Sequence, residues 1–431
     1  MSSVFCKIKY LKANELRRDI LWTLSGQVII MLVLLLLNKV LSNSLTIEDF
    51  GRYNVIKRST SVLSFVLLGG LGITMPRYLS ISVSKRQYRS IKALVVGSWI
   101  YLTIILLFVS FLYLILYSQL VDLVLGTDNF LFYVFCLLYA MTSSVNSYIY
   151  AYYRGIGQFK SFNICQIISQ LLQLVPFIFM LNDLFLIICT WTSLNVLFIL
   201  CIIIKEYRSY HKIILGFRVS LLFVWRKFRT LVAYSFPRLI GDFFLFAYSA
   251  FPVLYIANKL GYDQASYYSV GISLVSMVTP VFSFLGVVLL PSVSKMIANN
   301  QMNRANRLVC NVAYVYLCLA IIFTLVLYFG MDLVIHLFFA DKYLVAREIG
   351  RILVLSLLPQ SMYLLFRNPN DAASIFPFNS LILMISFTAL VCGFLFFESL
   401  RQYAYVYLFV AVIQCVLSII VWINFVKKYG L

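Results

Sequence analysis

Arg238 and Asp242 stand one helical turn apart, directly after Pro237, in a stretch that is otherwise almost wholly apolar and aromatic. An arginine at the centre of such a helix costs roughly 2.5–3.5 kcal/mol to insert, so it is expected to face a polar interior rather than lipid. There it would hold an anionic group, with Asp242 on the same face as its resting partner or as a proton or sodium site. The plainer reading is that the two charges neutralise each other near the interface. Pro237 removes a backbone hydrogen bond and marks a candidate hinge.

Five further arginines share this chemistry. Arg77 follows Pro76 and lies either inside the second apolar segment or snorkelled to its inner end. Arg52, Lys57 and Arg58 gather at the other end of the same segment, where they line a cavity or anchor the helix. Arg154, with Lys160 nearby, and Arg367 flank the inner ends of the fourth and tenth apolar segments, as phosphate contacts or as topology charges. Arg17, Arg18 and Asp19 at the mouth of the first segment read as topology charges. Tyr148, Tyr150, Tyr152 and Tyr153 offer faces for sugar rings, but tyrosine is also a membrane-interface residue, as Trp22, Trp99 and Trp422 are expected to be.

Catalytic and metal chemistry has little support. The nine cysteines are scattered through apolar runs without CxxC spacing, and the two histidines, His211 and His336, stand alone. The cysteines read as small apolar side chains rather than ligands. No GxxxxGK[ST] phosphate loop occurs, and no nucleophile is set beside a base. No cofactor is expected.

The elements that position these residues follow from composition. Of 431 residues, 62% are hydrophobic and 12% charged, against roughly 45–50% and ~25% in soluble domains. The apolar runs are long enough for helices to cross a bilayer, which takes roughly 17–25 residues: Ile20–Leu41, Ser59–Ser82, Ala93–Ser118, Phe130–Tyr153, Ser161–Leu181, Leu184–Ile204, Leu231–Ala257, Tyr267–Ser292, Leu308–Met331, Ile349–Phe366, Phe376–Phe397 and Tyr403–Phe425. Helices are the assignment that satisfies every backbone amide within its own segment. The first run is too long for a signal peptide and lacks a cleavage pattern, so it reads as an uncleaved first helix.

Most of the 35 lysines and arginines fall in the N-terminal segment, in alternate loops and at the C-terminus. The positive-inside rule then places both termini in the cytoplasm. The net charge of +20 is spread over these loops, not gathered on one face, which argues against nucleic acid. The halves repeat: Tyr53-Asn54-Val55, Pro76 and Arg89 recur as Tyr268-Ser269-Val270, Pro291 and Arg304 at one constant offset. Six spans per half make this a parallel repeat. The expected organisation is an N-terminal lobe over 1–204, a basic amphipathic cytoplasmic linker over 205–230 and a C-terminal lobe over 231–431. The linker interleaves Arg218, Arg226, Lys227 and Arg229 with Leu221, Leu222, Phe223, Trp225 and Phe228, either as a helix on an anionic leaflet or as a plain ordered connection.

Five stretches carry a resemblance: TIEDFGRYNV, LLGGLGITMPRYLS, YRGIGQFKS, YSFPRLIGDF and GISLVSMVTPVFSFLGVVLLPSVSKM. In their order they resemble the polysaccharide repeat-unit (O-antigen and capsule) flippases of the multidrug/oligosaccharidyl-lipid/polysaccharide exporter superfamily. The stretch RNPNDAASIFPF departs most from the pattern. The resemblance implies an all-α integral membrane fold, MATE-like, with about twelve helices in two six-helix lobes. It implies a bacterial inner membrane location and an undecaprenyl-pyrophosphate-linked oligosaccharide as cargo, moved between leaflets among membrane lipids. A polysaccharide polymerase and a chain-length regulator are the partners it would imply for O-antigen, lipopolysaccharide or capsule assembly. Two other readings remain: a cation-coupled drug or metabolite antiporter of the same superfamily, and a membrane glycosyltransferase or polymerase. The arginines favour anionic cargo over the first. The second would need a large outer loop, which is lacking.

Overall fold

A computed structural model of the chain describes residues 13–124, 129–179, 181–214, 219–299, 301–374 and 376–429. No strand occurs among them. The helices are α1 (Ala13–Ser44), α2 (Ile47–Leu68), α3 (Leu71–Ser84), α4 (Tyr88–Ile115), α5 (Tyr117–Val124), α6 (Phe130–Gly155), α7 (Phe159–Leu172), α8 (Val175–Ile178), α9 (Leu184–Ile214), α10 (Leu221–Leu260), α11 (Tyr262–Ala298), α12 (Met302–Phe329), α13 (Met331–Phe338), α14 (Arg347–Leu355), α15 (Leu357–Ala373), α16 (Phe378–Phe396) and α17 (Leu400–Tyr429). A 3-10 turn over Asp341–Ala346 precedes α14. Among the described residues, twelve helical segments are long and apolar enough to cross a membrane, and the chain is a multi-pass membrane protein.

Two compact units divide it: Met1–Val40 with Ser59–Leu239, and Leu41–Arg58 with Ile240–Leu431. These units cut the chain at other points than the sequence halves. Residues 41–58 belong to the second unit because their aromatic side chains find their partners there. Phe50 is buried against Phe339 and Tyr343, with ring centroids 6.4 and 5.1 Å away. Ser42 Oγ accepts from the Ala340 amide at 2.9 Å.

In the first unit α6 packs against α3, α4, α7 and α9. Its small residues allow this. A Cβ on Gly155 would stand 2.9 Å from Leu79 Cβ and 3.2 Å from Pro76 Cα. In the second unit α11 and α15 are central, packing on each other, on α12, and with α17 against α15.

Three elements differ from the sequence expectation. The second span starts at Ile47, not Ser59. Thr46 caps it, with its Oγ1 accepting from the Asp49 amide at 3.0 Å and pairing with the Asp49 carboxylate at 2.7 Å. This T-x-x-D pattern is a helix-start signal that hydropathy misses because Glu48, Asp49 and Arg52 follow it. The same span is broken into α2 and α3 at Gly69 and Gly70, whose φ values of 60° and 76° lie in the left-handed region. The repeat-related α11 runs unbroken from Tyr262 to Ala298. Finally, the amphipathic stretch of the linker is no separate helix. With no glycine or proline between Leu221 and Phe236, it forms the first turns of α10, which continues through Pro237.

The interfacial tyrosines and tryptophans also divide. Tyr148 and Tyr153 are buried, at 2% and 1% exposure, and serve the interior of the first unit. Tyr148 shares a 2.7 Å hydrogen bond with Ser98 and packs edge-on to Trp99. Trp422 is buried and donates to Asn306 Oδ1 at 3.1 Å, whereas Trp22 is exposed.

Candidate functional site

The first unit gathers its candidate residues around α3. Pro76 lies inside that helix and has no N–H to offer the carbonyl four residues before it, Gly72. Arg154, at the last turn of α6, fills the gap: its Nη2 donates to Gly72 O at 3.0 Å. Its guanidinium also lies 5.5 Å from the centre of the Phe162 ring. Arg154 therefore has a definite structural task, closing the orphaned carbonyl of a proline-bearing helix.

Arg77 is exposed and lies over the Tyr234 ring at 4.6 Å, with Nη1 hydrogen-bonded to the Tyr234 hydroxyl. Tyr78 meets the same ring edge-on at 5.5 Å. One turn further up, Thr74 Oγ1 pairs with Ser235 Oγ at 2.8 Å and with Gly70 O at 3.0 Å. The segment of α10 before Pro237 is thus fixed to α3 by polar contacts that follow the Gly69–Gly70 break.

The second unit holds Arg58, three turns into α2. It is half-buried, and the hydroxyls of Tyr407, Tyr268 and Tyr53 are near enough to interact with its charge. Tyr268 is fully buried and its hydroxyl has no hydrogen-bond partner among the described residues. Tyr407 packs on Tyr248 with ring centroids 5.3 Å apart. Tyr248 in turn interacts with Tyr363, whose buried hydroxyl is also unpartnered, and Tyr363 with Arg367 and Asp371. Five buried tyrosines, Tyr53, Tyr248, Tyr268, Tyr363 and Tyr407, thus share one unit with two of the predicted arginines, Arg58 and Arg367.

Charge balance sharpens the picture. Among the described residues, the carboxylates of ion pairs take Arg52, Arg347 and His336. Arg58, Arg77, Arg154 and Arg367 have no carboxylate partner there. Asp371 instead accepts from Asn379 Nδ2 at 2.6 Å, and Glu206 from the Tyr153 hydroxyl at 2.7 Å. The sequence candidates Pro237, Arg238 and Asp242 belong to α10, but their side chains lie outside the described residues, as do those of Arg17, Arg18 and Asp19. No group of three or more metal-ligating side chains occurs among the described residues.

Sequence reasoning passed over Tyr234, Tyr268 and Tyr407. One of them carried a signal. Tyr53 and Tyr268 are equivalent positions of the internal repeat, and both stand beside Arg58. The repeat was legible, but nothing in it said that the two copies would face one guanidinium.

The family described as "Polysaccharide biosynthesis protein" matches residues 16–297 of the chain. The chain belongs to that family. No curated protein matches it. Among solved structures, this polysaccharide biosynthesis protein is similar to an inward-facing multidrug resistance MATE family transporter of the MOP superfamily, with a TM-score of 0.73 at 10% identity over 93% of this chain and 94% of the other. It is also similar to a mutant of the Vibrio cholerae MATE transporter VcmN, at TM-score 0.66 and 14% identity over 96% and 98% of the two chains. A third similar structure is the eukaryotic MATE transporter AtDTX14, at 0.61 and 12% over 95% and 99%. At such identities the likeness establishes the fold, which is MATE-like.

Proposed function

We propose that this polysaccharide biosynthesis protein is a flippase that moves undecaprenyl-pyrophosphate-linked oligosaccharide repeat units from the inner to the outer leaflet by alternating access. One observation carries the reading. Arg58 presents a half-buried guanidinium, without a carboxylate partner among the described residues, near enough to three tyrosine hydroxyls to interact with them electrostatically. A charge so placed is stabilised by an anionic ligand, and hydroxylated aromatic rings suit a sugar headgroup. Family membership supports the same assignment.

In this reading Arg77, Arg154, Arg238 and Arg367 supply further positive charge along the path of the pyrophosphate and any acidic sugar. Pro237 is the hinge of α10, and Asp242 couples movement to a proton or sodium gradient. The lobes over 1–204 and 231–431 act as the two halves of the carrier, joined through the basic linker over 205–230. The protein resides in the bacterial inner membrane with both termini cytoplasmic. It works alongside a polymerase and a chain-length regulator in O-antigen or capsule assembly, and transports rather than catalyses. An antiporter of cationic drugs, with the same fold, would want carboxylates where this chain has arginines without a carboxylate partner among the described residues.

Deletion of the protein followed by lipid extraction tests the proposal. The mutant should lose surface polysaccharide while complete repeat units accumulate on polyprenyl pyrophosphate. Accumulation of incomplete units would point to a glycosyltransferase, and an unchanged lipid profile with increased drug sensitivity to an antiporter.

A further inference from the structure

The first turns of α10 carry two opposite faces. Val224, Leu231 and Ser235 are buried on one. There Phe228 meets Tyr101 edge-on, with ring centroids 6.0 Å apart. Gly97 of α4 allows the approach: a Cβ on it would reach within 3.5 Å of the Phe228 amide nitrogen. This face is the fixed one.

The other face is a stripe of residues four apart and their neighbours. Leu221 is 86% exposed, Leu222 74%, Trp225 50% and Phe236 62%. On a membrane protein an exposed apolar stripe meets acyl chains. This stripe is unusual because Arg226 and Arg229, both exposed, lie within it between Trp225 and Phe236. Arg229 is held over the Trp225 ring at 5.5 Å, and that ring stacks on Phe228 at 5.0 Å. The arginine is therefore braced by aromatic contacts rather than paired with a carboxylate. No aspartate or glutamate occurs anywhere between Tyr207 and Gly241.

Cations braced on tryptophan beside exposed leucines match the boundary between headgroups and acyl chains, where an anionic phosphate satisfies the guanidinium and the apolar side chains enter lipid. We infer that this face of α10 binds the headgroups of anionic phospholipids. The occupant is bulk anionic lipid of the bilayer, not the transported polyprenyl pyrophosphate. Because the segment is continuous with the seventh span and fixed to α4, occupancy of this face bears directly on the helix that carries Pro237. The inference rests on the membrane reading of the chain and is independent of the cargo.

Full-length protein reconstituted in phosphatidylcholine vesicles tests it, with brominated phosphatidylglycerol or brominated phosphatidylcholine added as quencher. The Trp225 share of the fluorescence is isolated by subtracting the W225F variant. Wild-type protein should show stronger Trp225 quenching by the phosphatidylglycerol probe at equal mole fraction. R226Q/R229Q should reduce that preference by at least tenfold, from about fivefold per removed cation, and salt should weaken it. L221Q/L222Q, which alters exposed side chains, should lower quenching by both probes alike. Equal quenching of the wild type by the two probes would overturn the inference. So would a preference retained in R226Q/R229Q, or one abolished by stoichiometric polyprenyl pyrophosphate, which would make the face a cargo entry site.

Discussion

Arg154 and Gly72 form a hydrogen bond that exists because of a third residue, Pro76. The proline cannot donate to the Gly72 carbonyl, and the Arg154 guanidinium does so from the neighbouring helix at 3.0 Å. The relation predicts a coupled pair of substitutions. Arg154→Ala should destabilise the detergent-solubilised protein by roughly 1.5–3 kcal/mol, the range for a hydrogen bond to a charged group. Pro76→Ala restores an N–H for the carbonyl, so Arg154→Ala should be milder in that background by about 1 kcal/mol. Additive effects in a chemical unfolding series would show that the two residues act independently.

Arg58 is expected to be the most sensitive of the described arginines for export. Replacing it by alanine removes a charged contact worth roughly 1.5–3 kcal/mol, or about ten- to a hundredfold in headgroup affinity. Arg58→Lys should retain part of the activity, and Tyr268→Phe should have a smaller effect than Arg58→Ala. Flipping of lipid-linked repeat units in proteoliposomes is the measurement. Full export by both Arg58 variants would remove this residue from the path.

Tyr234 holds Arg77 in two ways, through its ring and its hydroxyl. The ring contact is worth about 0.5–1 kcal/mol at an exposed site. Tyr234→Phe keeps it and should lower export by less than Tyr234→Ala, for which a fall of about two- to fivefold is expected. If the phenylalanine and alanine variants behave alike, the ring does not position Arg77.

Gly70 has a left-handed φ of 76°, and a Cβ there would approach Ser235 O to 2.8 Å. Gly70→Ala should therefore destabilise the first unit by roughly 1–3 kcal/mol. Gly157 also has φ 76° but nothing within 4 Å of its Cβ position, so Gly157→Ala should cost less. Melting temperatures of the two variants in detergent, side by side, separate backbone strain from steric conflict.

Much of this architecture was legible from residue order. Unbroken apolar runs announced the twelve membrane-crossing segments, because lipid leaves the backbone no alternative to helix. What hydropathy could not read was the polar start of α2, where Thr46 and Asp49 cap a helix whose first turns carry charges. Nor could it foresee that the basic linker stretch would continue into the seventh span, since amphipathic pattern is the same in a separate helix and in the extension of a longer one.

Composition and periodicity are properties of the chain alone, and they suffice for a helical membrane protein with arginines inside apolar stretches and an internal repeat. The arginines' companions emerge from packing. Arg154 serves a carbonyl that a proline in another helix left open, and Arg58 faces tyrosines from both halves of the repeat. Such relations join residues far apart in the chain. They depend on which helix faces meet, and no local pattern of residue types encodes that.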